Sequence, residues 1–182
     1  MKTIPVLAIA AALAASGCAT HSGGGMFDER RPATEVRRVH AGAIAPASVT
    51  VAPPNLAQAS DPVIGAYVAA VAGELGRNGF TPVTDISAAQ LLATVTVRTG
   101  LAEQLAADAP AALRANTILY PGAPATGLTV EIRRRADGLT VWQGRSATTL
   151  QPRGDVASLA PELARALFFG FPGESGRTIS VR

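Results

Sequence analysis

The chain has one cysteine, Cys18, one lysine and only two histidines, His21 and His40, in 182 residues. A single cysteine excludes an intramolecular disulfide framework and a metal site built from several thiolates. Two histidines are too few for the usual histidine-rich zinc site. Aromatic residues make up 4% of the chain, so the usual anchors of a large interface are scarce. We therefore predict no metal and no cofactor.

Positive charge is also limited. The one lysine is Lys2, and residues 18–182 carry 15 arginines against 13 acidic residues, a net charge of +2. Nucleic-acid binding is typical of strongly basic surfaces. This nearly balanced charge predicts that nucleic acid is not a partner.

The N-terminus has the features of a secretory signal peptide. Lys2 supplies a positive charge, residues 4–15 are apolar apart from Pro5, and the small residues Ser16 and Gly17 follow. As a helix the apolar run would reach only ~18 Å, against ~30 Å for the hydrocarbon core of a bilayer. It is therefore too short for a comfortable transmembrane span.

The sequence Ala-Ser-Gly-Cys at residues 15–18 resembles the bacterial lipoprotein signal, although Ala15 stands where Leu is commonest. The resemblance implies a mature protein that begins at Cys18, is acylated there and is held in a membrane by its acyl chains. Ala19, rather than Asp, resembles the outer-membrane sorting pattern of enteric bacteria. The alternative is ordinary signal cleavage, which would leave Cys18 as a free thiol.

The composition divides the chain into three parts. Residues 1–17 are the predicted signal peptide, and residues 18–33, with a glycine triplet at 23–25, are a predicted flexible tether. Residues 34–182 are long enough for one globular domain and not comfortably for two.

Alternating apolar residues and turn signals predict about six strands. They are residues 35–40, 48–52, 91–97, 128–135, 139–147 and 178–181. For the hairpin at 128–147 we predict a three-residue loop, Ala136 to Gly138, because this register places Ile132 opposite Trp142 and gathers apolar residues on one face. In that register Arg133 and Arg134 point to opposite faces, which favours a solvated strand end over a binding patch.

Two helices are predicted from periodicity and capping residues. The first is capped by Ser60 or Asp61, starts with Pro62 and stops at Asn78-Gly79, with Phe80 packing back. Its predicted apolar face is Ile64, Tyr67, Val68, Val71 and Leu75, and its predicted solvent face includes Glu74 and Arg77. The second begins at Asp155 or Ser158, stops at Gly170 and directs Leu159, Leu163, Ala166 and Leu167 inward.

Residues 100–127 are rich in alanine and proline and have no clear period. Helical turns at 101–108 or 111–116 are possible, but Pro110, Pro121 and Pro124 exclude one long helix. We expect a mobile excursion here. The predicted fold is an α/β two-layer sandwich, with a mostly antiparallel or mixed sheet of about six strands and two main helices on one face.

Several segments resemble the domain-of-unknown-function 4136 family of bacterial lipoproteins. They are Val-Trp-Gln-Gly-Arg at 141–145, Leu-Phe-Phe-Gly-Phe-Pro-Gly at 167–173, Val-Arg-Arg-Val-His at 36–40, the helix end Arg-Asn-Gly-Phe at 77–80 and residues 89–97. The resemblance extends over about residues 34–182. It implies the same fold and a cell-envelope location, and it carries no activity and no catalytic residues.

The function predicted from these features is that of a non-enzymatic envelope lipoprotein, held by acyl chains at Cys18 in the outer membrane, facing the periplasm. Its domain would bind another envelope protein or assist envelope maintenance.

The alternatives are a carrier of a small apolar ligand or lipid, favoured by an apolar pocket between sheet and helices, and a hydrolase. The sequence lacks the Gly-x-Ser-x-Gly and His-Glu-x-x-His motifs, so we predict no catalytic residues. The oligomeric state is left open, and His40 is expected on a strand surface or interface.

Overall fold

The computed structural model describes residues 33–149 and 155–181, and within these ranges seven strands form one sheet. The strands are β1 (Thr34–His40), β2 (Ser48–Ala52), β3 (Thr81–Pro82), β4 (Leu91–Leu101), β5 (Pro124–Arg134), β6 (Thr140–Thr149) and β7 (Thr178–Val181). The α-helices are α1 (Pro62–Arg77), α2 (Ala102–Ala107) and α3 (Ala160–Phe168), and short 3-10 helices lie at Leu56–Gln58, Ala111–Leu113 and Val156–Leu159.

The strand order is β3-β2-β4-β5-β6-β1-β7. β2 is parallel to β3 and β4, and the other neighbours are antiparallel. The chain passes from β2 to the parallel β4 through α1, because parallel neighbours need a long crossover. The predicted α/β fold with a mixed sheet is confirmed. The seventh strand is β3, a two-residue pairing that the sequence pattern did not show.

The main core lies between one face of the sheet and the helices α1 and α3. Alternation along the strands directs one set of side chains to this face, and the helices supply the other set. The fully buried members include Val36, Ala93, Val95, Val130, Ile132 and Trp142 from the strands and Tyr67, Val71, Leu75, Leu163 and Leu167 from the helices. Burying each large aliphatic side chain contributes about 1.5–3 kcal/mol, so this layer provides most of the stability.

Helix α1 begins where the capping residues predict. The Oδ1 atom of Asp61 accepts a hydrogen bond from the Val63 amide at 2.8 Å, and Pro62 occupies the first turn. Beyond the helix, Gly79 has a φ of +87°, and Phe80 is buried. The prediction that Glu74 faces solvent is wrong, since Glu74 is 8% exposed. It adjoins the apolar face of α1, and its carboxylate folds along the helix to accept a hydrogen bond from Arg77.

The β5–β6 hairpin has the predicted register as far as Ile132, which lies opposite Trp142, and Val130 lies opposite Gly144. The predicted three-residue loop is wrong, because the register shifts after Ile132: Arg133 lies opposite Thr140, and the Arg134 amide donates to the Leu139 carbonyl. The loop therefore has four residues, 135–138, and Gly138 ends it with a φ of +70°, a left-handed conformation that favours glycine. Arg133 and Arg134 are both exposed, which confirms the solvated strand end.

Residues 100–127 contain more regular structure than expected. β4 continues to Leu101, which pairs with Pro124 at the start of β5, and α2 and a 3-10 helix follow β4. A second apolar cluster, formed by Ala102, Leu105, Leu119, Ala125 and Ala147, lies on the sheet face opposite α1 and α3. The helical segments fold here because they bury small apolar residues against the sheet, and local periodicity does not reveal such a contact. In the described part of the chain, no helix is both long and apolar enough to cross a membrane.

Candidate functional site

Cys18, the predicted lipid attachment residue, lies outside the described residues, together with the predicted signal peptide, His21 and nearly all of the tether. The acylation of Cys18 therefore stays a prediction. In residues 33–149 and 155–181 the structure contains no group of three or more His, Cys, Asp or Glu side chains that could hold a metal ion.

His40 lies at the end of β1 and is half-buried. Its Nδ1 is 2.9 Å from the Gly42 carbonyl oxygen, and its Nε2 is 2.9 Å from the Gly173 carbonyl oxygen. Two serines that a hydrolase could use as nucleophiles bind backbone carbonyls: Ser48 Oγ donates to the Ala88 carbonyl and Ser146 Oγ to the Leu163 carbonyl. Within residues 33–149 and 155–181, both ring nitrogens of His40 thus contact loop carbonyls and neither contacts a serine hydroxyl.

The segments that resemble the lipoprotein family meet at one end of the core. Trp142 stacks on Phe168, with ring centroids 5.3 Å apart, and lies 5.3 Å from the ring of Phe171. Its Nε1 donates a hydrogen bond to the Pro172 carbonyl at 3.1 Å. These residues join β6 to the end of α3. Their role is structural, as expected for motifs made of strands, turns and helix ends.

The edge of the sheet formed by β7 has backbone groups that another strand could bind. β7 is the outermost strand of the described sheet, next to β1. The Gly176 amide donates to the Arg38 carbonyl at 2.8 Å, so the backbone of Arg38 points to the β7 side of β1. Backbone N–H and C=O groups point to the same side of a strand at every second residue. The backbone groups of Val36 therefore also point to β7, where Val36 pairs with Ile179.

The outer side of β7 follows from this pairing. Ile179 directs its backbone groups toward β1, and successive residues of a strand direct theirs to opposite sides. The backbone N–H and C=O groups of Thr178 and Ser180 therefore point away from the sheet. Both residues belong to a strand that lacks a second neighbour within the described residues. An open sheet edge of this kind is a template for pairing with another chain.

A depression of 690 Å³ adjoins this edge, between α3 and β7. Phe169, which directly follows α3, is 68% exposed, whereas the preceding Phe168 is 2% exposed. Ile179 forms the other apolar wall, and Glu162 and Arg165 give the rim a polar border. The depression thus places an exposed aromatic ring beside unpaired backbone groups.

Sequence reasoning missed this surface. The doubled phenylalanine at 168–169 was a usable signal, because adjacent helical positions face different directions and only one ring can enter the core. A second omission is the pair formed by Glu35 and Arg145, which are 2% and 4% exposed and form an ion pair at 2.7 Å. These residues are far apart in the chain, and only the strand order brings them together.

Comparisons with known proteins concern the fold. No protein-family model matches the chain, and no curated protein matches its sequence. Among solved structures, the chain is similar to the PelC dodecamer from Paraburkholderia phytofirmans, with 19% identity, a TM-score of 0.48 and coverage of 74% of this chain and 94% of that chain. A variant PelC dodecamer from the same organism gives 17% identity, a TM-score of 0.45 and coverage of 74% and 93%.

The chain is also similar to a PDZ domain protein from Parabacteroides distasonis, with 13% identity and a TM-score of 0.55. That alignment covers 85% of this chain and 40% of that protein. At this identity the likeness concerns the fold alone. The two likenesses to PelC, with TM-scores below 0.5, carry no conclusion about function, and no family model identifies the lipoprotein family that the sequence resembles.

Proposed function

We propose that this chain is a non-enzymatic lipoprotein of the bacterial cell envelope that binds an extended segment of another envelope protein along β7. The observation that carries the proposal is the outward-facing backbone of Thr178 and Ser180 beside the exposed ring of Phe169. Added strands gain affinity from main-chain hydrogen bonds and specificity from side-chain pockets. The depression beside Phe169 would receive one apolar side chain of the partner.

The described domain begins beside the proposed binding edge. Thr34, the first residue of β1, pairs with Val181 of β7. The 16 residues from 18 to 33 span at most about 55 Å when fully extended. A partner bound at β7 would therefore lie within roughly this distance of the acylated Cys18.

Carriage of an apolar ligand between sheet and helices is less well supported. At Gly144, in the middle of this layer, an added Cβ would overlap the Trp142 ring and approach the Leu167 side chain to 2.8 Å. A region that has no room for a methyl group has no room for a ligand.

The anchor is tested by Cys18→Ser in cells, followed by detergent phase partitioning. The variant should lose acylation and move to the aqueous phase, because acyl chains provide the membrane affinity. His21→Ala is the matched control, since it leaves residues 15–18 intact and should stay in the detergent phase. Unchanged partitioning of Cys18→Ser would refute the anchor.

The binding edge is tested by in-cell photo-crosslinking from position 169, with position 69 on the exposed face of α1 as the control. We expect one identified envelope protein to be captured from 169 and not from 69. Ser180→Pro should abolish the capture, because it removes an outward backbone N–H, whereas Ser180→Ala keeps that N–H and should retain it.

Three results would overturn the proposed partner. Equal capture from both positions would mean that β7 has no special role. Capture that survives Ser180→Pro would exclude strand addition. Crosslinks only to a second copy, or to residues 18–33 of the same chain, would show that the edge is occupied by the protein itself.

A further inference from the structure

A cavity of 290 Å³ with charged side chains in its walls lies on the sheet face opposite α1 and α3, between the strands and the segment that follows β4. At about 30 Å³ per water molecule in the liquid, this volume accommodates a small polar group. Its walls carry three arginines, Arg98, Arg114 and Arg145, and one acidic residue, Asp108. Thr96 and Thr129 add hydroxyl groups from two neighbouring strands.

Arg145 is the buried member of this set. It is 4% exposed, and its Nη1 lies 2.7 Å from Glu35 Oε1. The other carboxylate oxygen of Glu35 accepts hydrogen bonds from Thr117 Oγ1 at 2.8 Å and from the Ile118 amide at 2.7 Å. Glu35 therefore binds Arg145 at one oxygen and the segment after α2 at the other.

The guanidinium of Arg145 is left incompletely satisfied. Its Nη2 is buried and has no hydrogen-bond partner among the described residues. A buried donor without an acceptor costs free energy, and the cost is larger when the group is charged. Because Arg145 lines the cavity, a small shift of its guanidinium would bring Nη2 to an acceptor that enters there and remove this cost.

The charges around the cavity favour an anion. The lining residues carry three positive charges and one negative charge, and Glu35 adds a second negative charge beside Arg145, so the local net charge remains positive. Arg98 lies 3.7 Å from Asp108 and is more than half exposed. That distance is longer than the usual 2.7–2.9 Å of a charge-assisted hydrogen bond, so the ion pair with Asp108 holds Arg98 only weakly.

We propose that this cavity binds a small oxyanion, a carboxylate or phosphate group, held by Arg145 with Arg98 and Arg114. Guanidinium groups suit this chemistry because their planar donors match the oxygens of carboxylates and phosphates. The site is separate from the β7 edge and does not depend on a protein partner.

The test uses the mature acylated protein in detergent micelles, titrated with inorganic phosphate and, separately, with acetate at constant ionic strength. Amide NMR signals of Thr96, Gly127 and Thr129 should shift saturably. The anion with the lower Kd identifies the preferred group. Arg98→Gln and Arg114→Gln should each weaken binding about tenfold or more, the effect expected for loss of a hydrogen bond to a charged group.

Arg133→Gln is the matched control, because Arg133 is an exposed arginine of β5 outside this cavity. It removes the same charge and should leave both Kd values within twofold. Linear, unsaturable shifts with both anions would overturn the proposal. Equal weakening by Arg98→Gln and Arg133→Gln would also overturn it, because it would show general charge attraction without a defined site.

Discussion

The guanidinium of Arg38 in β1 donates a hydrogen bond from Nε to the Leu167 carbonyl at 2.7 Å, and its Nη2 donates to the Ala166 carbonyl at 2.8 Å. Both acceptors belong to the last turn of α3, where carbonyl groups lack intrahelical partners and carry partial negative charge. Arg38 is 3% exposed, and burial lowers the pKa of its guanidinium. One buried cation therefore fastens the end of α3 to the sheet.

Arg38→Ala should lower the free energy of unfolding by roughly 2–4 kcal/mol, because it leaves two helix-end carbonyls without these donors. Arg134→Ala removes an exposed arginine and should cost less than about 0.5 kcal/mol. Urea unfolding of both variants measures the difference. Equal effects would mean that Arg38 does not hold the end of α3.

Leu163→Ala should cost about 2–5 kcal/mol, since Leu163 is fully buried between α3 and the sheet. Leu139→Ala is the matched control because Leu139 is 58% exposed next to the hairpin loop, and a surface change is usually within about 0.5 kcal/mol. Thermal and urea unfolding should both show that Leu163→Ala is more destabilising than Leu139→Ala. A surface-like effect at Leu163 would show that the phase of α3 is wrong.

Gly138→Val should destabilise the hairpin by about 1 kcal/mol or more. The position has a φ of +70°, and a Cβ added there would meet no atom within 4 Å. The cost is therefore backbone strain in a β-branched residue and not a clash. Gly138→Asn should cost less, because Asn tolerates the left-handed region. Equal stability of Val and Gly at this position, measured by urea unfolding, would contradict the left-handed loop.

Gly144→Ala should be destabilising for a different reason. The added methyl group would overlap Trp142 and lie 2.8 Å from Leu167, and overpacking of a core costs about 1–3 kcal/mol. Gly65→Ala, in α1 with open space around it, should instead stabilise by about 0.5–1 kcal/mol because alanine is the better helix former. We expect thermal unfolding to show a lower melting temperature for Gly144→Ala and a higher one for Gly65→Ala.

The environment of Glu131 should make the free energy of unfolding depend on pH. Partial burial raises the pKa of its carboxyl, but hydrogen bonds from Thr140, Arg133 and Gln143 outweigh this effect and hold the pKa below its ordinary value. A lowered folded-state pKa stabilises the fold above the unfolded-state pKa of about 4.3, and this contribution is lost as the pH falls through the folded-state value. Glu131→Gln should therefore destabilise more at pH 7 than at pH 3.

Urea unfolding of wild type and Glu131→Gln across this range measures the effect. The two stability curves should converge on the acid side, where the protonated carboxyl resembles the amide. A stability difference between wild type and Glu131→Gln that does not change with pH would contradict the lowered pKa of Glu131.

Local patterns were sufficient for several elements. The start of α1 was predictable because Asp61 and Pro62 act within one turn. The hairpin register as far as Ile132 and Trp142 was predictable because only one pairing places the apolar side chains on one face, whereas the register shift beyond this pair was not predicted. Other features depend on distant contacts. The burial of Glu74 and the folding of residues 100–127 against Ala147 have no local signature.

The sequence by itself determined the α/β class, the capped helix and most of the hairpin register, because these follow from period, turn chemistry and composition over short stretches. The lipoprotein signal that ends at Cys18 stays a prediction. Only the tertiary structure decided the candidate sites. The order of the strands places β7 at the edge of the described sheet beside Phe169 and brings Arg145 to Glu35, 110 residues away in the chain. Strand order depends on the total burial of all elements together, so it cannot be predicted from the sequence of any single segment.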